Sequence, residues 1–569
     1  MREITRDEWA KIIREYREKG ESCLSFCLGR DIPFGAMQRR LAEVGRQRTG
    51  DNPLFVEIKP TTSMKRYVPL IPLFLFGFFL FYISRFIPLT FDDAFNANVS
   101  LSFATGRGYA THAGEIPIPF NPRISTGMLF IGPYSAIIWA FGASIGGLQA
   151  YSLLVSFFFF TIAWWQARKI DSGFALILII FSFLFLKHGK TDLVTGTAIP
   201  NLPPPPYGFW IQFLGNMAGI WAVIGTILLC SADSPTSLRR LLATFCLTVF
   251  AVNAKIIHAL PLIVALGILL LGRTRQTRWG VFVAILATLL GVRSEPLIAW
   301  INLDSEQFHQ YEDGARAFFD AYQGLYRELL LSPRWELCKT ILGTIPMRIG
   351  LAAEYIGLPL LIVYGFVVTV SVVGFLHSKD TATTKILVRA ELAMAAAALA
   401  VVLWWCGMPQ APSRFLSVVA PLLVTAAAAA SARLLQTYLW IHRPAVFVFL
   451  LIVMPLFCWS SMQHDIPALR WAYAVRREQQ QVNLIVKENR VGDTLMPLCG
   501  HDWWYPHEIS FLIGKPVTIS CSRRTPRVVV MPRHIFPDTI RNVLISSDCT
   551  TVHSGEFYEV AHCGFRTTS

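Results

Sequence analysis

Two adjacent carboxylates, Asp92 and Asp93, follow the first long apolar run of the chain, and the loop they open gathers polar residues in a mainly apolar protein. The loop reads Phe91-Asp92-Asp93-Ala94-Phe95, then Gly106-Arg107-Gly108-Tyr109, then Glu115, then Asn121-Pro122-Arg123-Ile124-Ser125-Thr126-Gly127. A carboxylate pair at a membrane interface is partly dehydrated and self-repelling, and both effects lift one of its proton affinities toward working pH. That is the chemistry of a general base. Taken alone, such a pair also fits a solvated helix terminus. Three cations are placed to hold an anion on the same side. Lys255 lies in a short hairpin between apolar runs, where a charge is costly unless it has a partner or a task; snorkelling to the interface is its other reading. Arg414 opens an inward-going span from the outer face, against the positive-inside tendency, which favours a bound anion. His188, flanked by Lys187 and Lys190, suits contact with phosphate or a solvated basic cap.

The elements that must position these groups are membrane helices. Of 569 residues 53% are hydrophobic and 15% charged. The apolar ones fall in runs long enough to cross hydrocarbon. The formal charge of +14 sits mostly at the ends of those runs, which suits membrane topology rather than a nucleic-acid surface. No nucleic-acid partner is expected. Residues Met1–Tyr67 are polar and lack a signal-peptide core, so the first span starts insertion and the N-terminus stays inside. Val68–Phe86 exits after Lys65-Arg66, Leu148–Trp165 returns to Arg168-Lys169, Phe174–Leu186 exits, and Phe209–Cys230 returns to Arg239-Arg240. Leu241–Val252 and Ile256–Leu271 form a hairpin ending at Arg273. Trp279–Val292 exits to an outer segment, Arg293–Arg348, whose Glu306–Arg334 portion is amphipathic and suits the membrane surface. Ile349–Phe375 enters toward Lys379, Leu387–Trp405 exits, Phe415–Ser431 re-enters and Ala445–Ser461 leaves. Ile124–Ala143, interrupted by Gly127, Gly132 and Pro133, reads as a juxtamembrane helix that does not cross. Treating it as a span would place several Arg clusters outside.

The expected fold class is therefore an α-helical polytopic membrane protein of about eleven spans with a small C-terminal α/β extracytoplasmic domain. Its parts are a cytoplasmic helical segment (1–67), a membrane domain (68–461) with its first outer loop at 88–123, and the outer domain (462–569). In the outer domain Ala468–Glu488 reads as helix, and Asp493–Leu498, Pro516–Cys521, Arg527–Met531 and Val552–Val560 as strands. Cys499, Cys521, Cys549 and Cys563 would pair in an oxidising compartment, Cys549 with Cys563 as the local pair across a strand turn; buried free thiols are the alternative. Asp502, Trp503, Trp504 and Tyr505 suit a sugar-stacking platform or interfacial anchors, and the flanking His501 and His507 match no zinc spacing. In the N-terminal segment Ile4–Leu41 reads as helix, turn, helix. It is loosely similar to small helix-turn-helix modules, and a cytoplasmic hairpin on anionic lipid or on a partner protein suits a membrane enzyme better.

The first-loop pattern, Asp-Asp-Ala-Phe, then Gly-x-Gly-Tyr, then Ser-Thr-Gly directly after the first span, resembles the GT-C superfamily of polyprenyl-phosphate-dependent glycosyltransferases. That group includes protein O-mannosyltransferases, lipid A aminoarabinose transferases and mycobacterial arabinofuranosyltransferases. Gly173–Asp192 resembles the family helix that ends outside with a second acid, Phe250–Pro261 its short hairpin with a buried Lys, and Pro412-Ser413-Arg414-Phe415 its Arg-Tyr motif with Phe for Tyr. The resemblance implies Asp92 as catalytic base, Asp93 as the neighbour that orients the acceptor or holds a cation, and Asp192 as the second acid. The stretch Asn201-Leu202-Pro203-Pro204-Pro205-Pro206 lengthens the loop after Asp192 and departs from the pattern. No cofactor is fixed, and a divalent cation at Asp92 and Asp93 is an open option. The physics agrees: a polyprenyl phosphate is a good leaving group, so the protein has to deprotonate a hydroxyl and hold phosphate charge.

The expected function is an inverting glycosyltransferase moving a sugar from a polyprenyl-phosphate donor to a lipid, glycan or protein hydroxyl outside a bacterial cytoplasmic (inner) membrane. Lys255, Arg414 and His188 would bind the donor phosphate. A transporter or flippase for a lipid-linked saccharide is the alternative. It would show paired broken helices in matching halves, and no internal repeat is visible.

Overall fold

A computed structural model describes residues 6–19, 26, 27, 30, 37, 70–89, 91–113, 116–119, 126–186, 208–211, 213, 215–232, 237–271, 275–317, 335–375, 382–408, 413–489, 494–495, 518–519, 527–532 and 549–563. Two compact units divide the chain, Met1–Pro69 and Leu70–Ser569. In the first, helix α1 (Arg6–Lys19) alternates Lys, Arg and Glu on its outer side and turns Trp9 and Ile13 inward with Phe26, Cys27 and Met37. Arg30 ties the unit by pairing with Glu15 and stacking 4.9 Å over the Phe26 ring.

The second unit opens with α2 (Leu70–Ser84) and α3 (Phe91–Ala104), then a two-stranded antiparallel ribbon, β1 (Ala110–Ala113) and β2 (Ile116–Pro119). In α2, Leu73, Phe76, Leu80 and Ile83 face inward while Phe74, Phe78 and Tyr82 are exposed. A helix apolar on both faces suits a lipid surround rather than water. Next come α4 (Met128–Phe141), α5 (Ile145–Ile170), α6 (Ser172–Phe185), the short α7 (Gly208–Ile211) and α8 (Asn216–Ser231). All sixteen residues of α8 are buried, which makes it the central post of the domain. Around it pack α5, α9 (Leu238–Ala254), α10 (Ala259–Leu270), α11 (Arg275–Asn302) and α15 (Ala382–Cys406). Near the start of α8, Trp210 stacks on Trp221 at 5.8 Å, with Phe76 and Phe160 edge-on to Trp210.

Between α11 and α15 lie a helix at 305–317 (α12), α13 (Trp335–Ile356) and α14 (Leu358–Phe375). The sequence reads Ile349–Phe375 as one span. The chain instead bends by 92° between α13 and α14, where Gly357 adopts φ +98°. That conformation is open mainly to glycine. From Val419 the chain is helical for 71 residues to Asn489 (α16). This run joins what sequence divides into two spans and an outer helix, because it contains no glycine to stop it; Pro444, Pro455 and Pro467 remove single backbone donors within it. A buried Glu391–Arg433 pair at 2.8 Å joins α15 to α16, as charge within a span requires.

Among the described residues four helices are long and apolar enough to cross a membrane, or five if the bent pair counts as one span. The shorter apolar helices are Leu70–Ser84, Met128–Phe141, Ser172–Phe185, Asn216–Ser231 and Ile256–Leu270. Each would span about 21–24 Å, against a hydrocarbon core of about 30 Å. The polytopic helical class therefore stands, with a coarser span count than eleven.

The C-terminal sheet has the order β4-β3-β5-β7-β6. Strands β3 (Thr494–Leu495), β4 (Thr518–Ile519) and β5 (Arg527–Pro532) run parallel, while β6 (Cys549–Ser554) and β7 (Tyr558–Cys563) form an antiparallel hairpin joined to β5. Sequence reads Val552–Val560 as a single strand. The Gly555-Glu556-Phe557 turn splits it, and the polar Ser554-Gly555-Glu556 is where the chain reverses.

Candidate active site

Helix α3 begins at Phe91, so Asp92 and Asp93 stand in its first turn, where a helix favours negative charge. Asp93 is buried, and its Oδ1 accepts a hydrogen bond from the backbone N–H of Phe213. That donor is available because the run read as one span, Phe209–Cys230, is broken between α7 and α8. At the break Gly215 takes φ +66° and Asn216 starts α8. Phe213 itself fills a cluster with Phe130, Tyr134 and Tyr151, its ring centroid 5.0, 5.1 and 5.9 Å from theirs.

The break gathers more than Asp93. A Cβ on Gly215 would lie 3.0 Å from the Thr126 methyl and 3.1 Å from the carbonyl of Ala254, the residue before Lys255. Asn216 donates from Nδ2 to Ser417 Oγ at 3.2 Å, in the 3-10 turn Ser413–Val418 that also holds Arg414. One short stretch thus joins the first loop, the Lys255 turn and the Arg414 turn. Lys255 is buried at the end of α9 with an extended backbone, and does not reach the protein surface as snorkelling would require.

The end of the first loop is tied to the same place. Gly127 N–H donates to the Ala254 carbonyl at 3.2 Å, Met128 N–H to Glu295 Oε1 at 2.8 Å and Leu129 N–H to Asn253 Oδ1 at 2.8 Å. These are the orphan donors of α4, capped by groups from α9 and α11 in place of a local cap. Asn253 is oriented in turn by bonds to Glu295 and, at 3.0 Å, to Ser294 Oγ. The approach is so close that a Cβ on Gly127 would overlap the Asn253 carbonyl oxygen. The glycine of Ser-Thr-Gly is required by this contact. Gly106 and Gly108 take φ +75° and +85°, a region that glycine enters freely. They turn the chain so that the buried Tyr109 hydroxyl reaches the Thr126 carbonyl at 3.4 Å. Burial, with Glu295 and Tyr311 nearby, raises that hydroxyl well above its ordinary range, so it stays a neutral donor.

Of Asp92 and Arg414 the backbone alone is described. Asp192, His188, Glu115, Arg123, Cys499, Cys521 and the aromatic group from Asp502 to Tyr505 with His501 and His507 lie outside the described residues. Among the described residues no three His, Cys, Asp or Glu side chains are placed to share a metal ion. A cation at Asp92 and Asp93 would therefore need a further ligand from elsewhere.

The fold that carries this arrangement is found among solved structures. The crystal structure of ArnT from Cupriavidus metallidurans bound to undecaprenyl phosphate matches with a TM-score of 0.55 at 12% identity, over 87% of this chain and 97% of that one. ArnT in the apo state matches at 0.54 with the same identity and coverage. The chain has a GT-C fold. No protein-family model matches the sequence, and no curated protein matches it significantly.

Within the GT-C fold of this chain several residues escape a sequence reading. Glu295 and Asn253 look like span-end polar groups, yet they organise the loop from α11 and α9. The Gly215-Asn216 pair is the exception, since it carries the residue types of a helix start. Arg348, counted with the outer segment, is buried in α13 with its guanidinium 3.8 Å from the centroid of Trp405, and α13 touches the Arg414 turn. A guanidinium at that distance over an indole face is a cation–π contact.

Proposed function

We propose that the chain is an inverting glycosyltransferase that takes one sugar from a polyprenyl phosphate and passes it to a hydroxyl of a lipid, glycan or protein. The observation that carries this reading is the break at Phe213–Asn216, which bonds Asp93 and abuts both the Lys255 and the Arg414 turns. The reaction requires a base and cations to hold phosphate charge, and the backbone segments that carry Asp92, Lys255 and Arg414 converge on this break. Asp92 accepts the proton of the acceptor hydroxyl, the hydroxyl oxygen bonds to the anomeric carbon, and the carbon–phosphate-oxygen bond breaks with its electron pair leaving on polyprenyl phosphate. A single displacement inverts the anomeric centre. Lys255 and Arg414 hold the phosphate charge, with Asp192 as second acid and His188 as a further phosphate contact. The donor class is supported by the undecaprenyl phosphate bound in the ArnT structure of the same fold.

The proposed setting is a bacterial inner membrane with the N-terminus inside and the C-terminal sheet outside. Introduced cysteines near Gly114 and Glu312 should then react with an impermeant label and those near Thr236 and Lys379 should not. The functional test is mass spectrometry of envelope glycans with and without the intact gene. Loss of one sugar from an otherwise complete glycan supports transfer. Accumulation of an intact lipid-linked sugar on the inner face, with transfer in open membranes unchanged, would instead indicate a flippase.

A further inference from the structure

We propose that Arg476, Glu478 and Gln479, near the end of α16, form a strap by which the C-terminal hairpin sets the position of the helix carrying Asp92 and Asp93, and that Gln479 is a positioning residue for transfer. The inference rests on Asp92 being the base.

Gln479 is buried and engages both ends of its amide. Its Oε1 accepts the Leu89 N–H at 3.0 Å, and its Nε2 donates to the Leu89 carbonyl at 3.1 Å and to Tyr558 Oη at 3.1 Å. To Leu89 it presents what a neighbouring strand would. Arg476, three residues earlier, lies on the same helix face. Its Nη1 donates to the Ile87 carbonyl at 2.8 Å and to Gln149 Oε1. Gln149 Nε2 donates to the same Ile87 carbonyl at 2.6 Å. Pro88, which has no N–H, is thus fixed by the residues on both sides. Leu89 stands three positions before Asp92.

Glu478 faces the other way. Its carboxylate accepts the Phe557 N–H at 3.0 and 3.1 Å and the Tyr558 N–H at 2.7 Å, at the turn between β6 and β7, with His553 Nε2 at 3.6 Å. The turn closes over this carboxylate so tightly that a Cβ on Gly555 would overlap Glu478 Oε1. Burying an arginine, a glutamate and two glutamines is costly where apolar packing would serve adhesion alone. Directional bonds give what packing does not, a fixed register of the backbone leading into the catalytic helix.

The test uses the full-length protein in detergent with a labelled polyprenyl-phosphate sugar. Gln479→Leu keeps volume and removes the bonds to Leu89 and Tyr558. Its kcat should fall about 10- to 100-fold, as misplacement of a catalytic group does, with donor KM within about twofold and hydrogen exchange faster at residues 87–95. In an Asp92→Asn background the same substitution should cause no further loss, because it acts through Asp92. Tyr558→Phe removes one bond with little risk to folding; it should show the same pattern at a smaller size, and it decides the matter if Gln479→Leu does not fold. Equal fractional losses in both backgrounds, or exchange at 87–95 unchanged, would overturn the strap. A wild-type protein that transfers no sugar, or an Asp92→Asn variant of full activity, would instead overturn the glycosyltransferase reading, and exchange would still report whether the strap holds the loop.

Discussion

Helix α3 is held from two sides, and the two regions differ in what stands behind the hold. Within the membrane domain Asp93 takes a backbone N–H that the break at Phe213 leaves available. On the approach to the helix, Ile87 and Leu89 are held by the side chains of Gln149, Arg476 and Gln479. Each hold is a side chain on a backbone group and is lost when that side chain is removed. Behind the inner one, however, backbone packs on backbone, the Gly127 N–H on the Ala254 carbonyl, whereas the outer one rests on side chains throughout. The inner region therefore has less room to adjust than the outer one.

The largest expected effect lies on the outer side. The register of the β6–β7 hairpin sets Cys549 directly opposite Cys563. Ladder partners stand about 4.5–5.5 Å apart between Cα atoms, within disulfide range. Peptide mapping without reductant should find this pair, and its removal should cost about 2–5 kcal/mol, unfolding the C-terminal sheet before the membrane domain. Free thiols at both positions would contradict this. The inner side is probed by Gly127→Ala. The backbone carbonyl of Asn253 cannot yield as a flexible side chain does, so thermal unfolding should show a loss of about 3 kcal/mol. Next in size is Asp93→Ala, which strands the buried Phe213 N–H and should cost about 1–3 kcal/mol. Asp93→Asn retains an acceptor oxygen and should melt near wild type; a large loss there would mean that charge, not the bond, holds the helix. The smallest effect belongs to Gly555→Ala, where the clashing group is the Glu478 carboxylate: a side chain can shift where a backbone cannot, weakening its bonds to the Phe557 and Tyr558 N–H groups at about 1 kcal/mol. If it destabilises as strongly as Gly127→Ala, the contrast between a fixed and an adjustable hold fails.

Much of this was legible in the sequence, and the boundary has a physical cause. Asp92-Asp93, Gly106, Gly108 and Gly127 stand in one polar stretch, so local composition exposes them. Lys255 and Arg414 stood out because charge beside hydrocarbon demands a reason. Gln479 gave no such signal, since its partners are a backbone 390 residues away and a tyrosine in a later strand. The bend at Gly357 was hidden inside an apolar run, where hydropathy records length but not direction, and the break at Gly215 was passed over although Gly215-Asn216 carries the residue types of a helix start. The strand read across Val552–Val560 failed for a different reason: Ser554-Gly555-Glu556 carries a turn signal that the β-prone residues on either side outweighed.

The central claim is that Asp92 is the base of a sugar transfer, and it is tested most directly by separating binding from turnover in Asp92→Asn. Purified protein is given a labelled polyprenyl-phosphate sugar and a membrane extract as acceptor. The amide keeps the size of the carboxylate but takes no proton, so the donor should bind as to wild type while transfer falls about 10²- to 10⁴-fold. Arg414→Ala and Lys255→Ala should weaken binding and turnover together, since a cation on the phosphate acts in both states. Near-full transfer by Asp92→Asn would contradict the account.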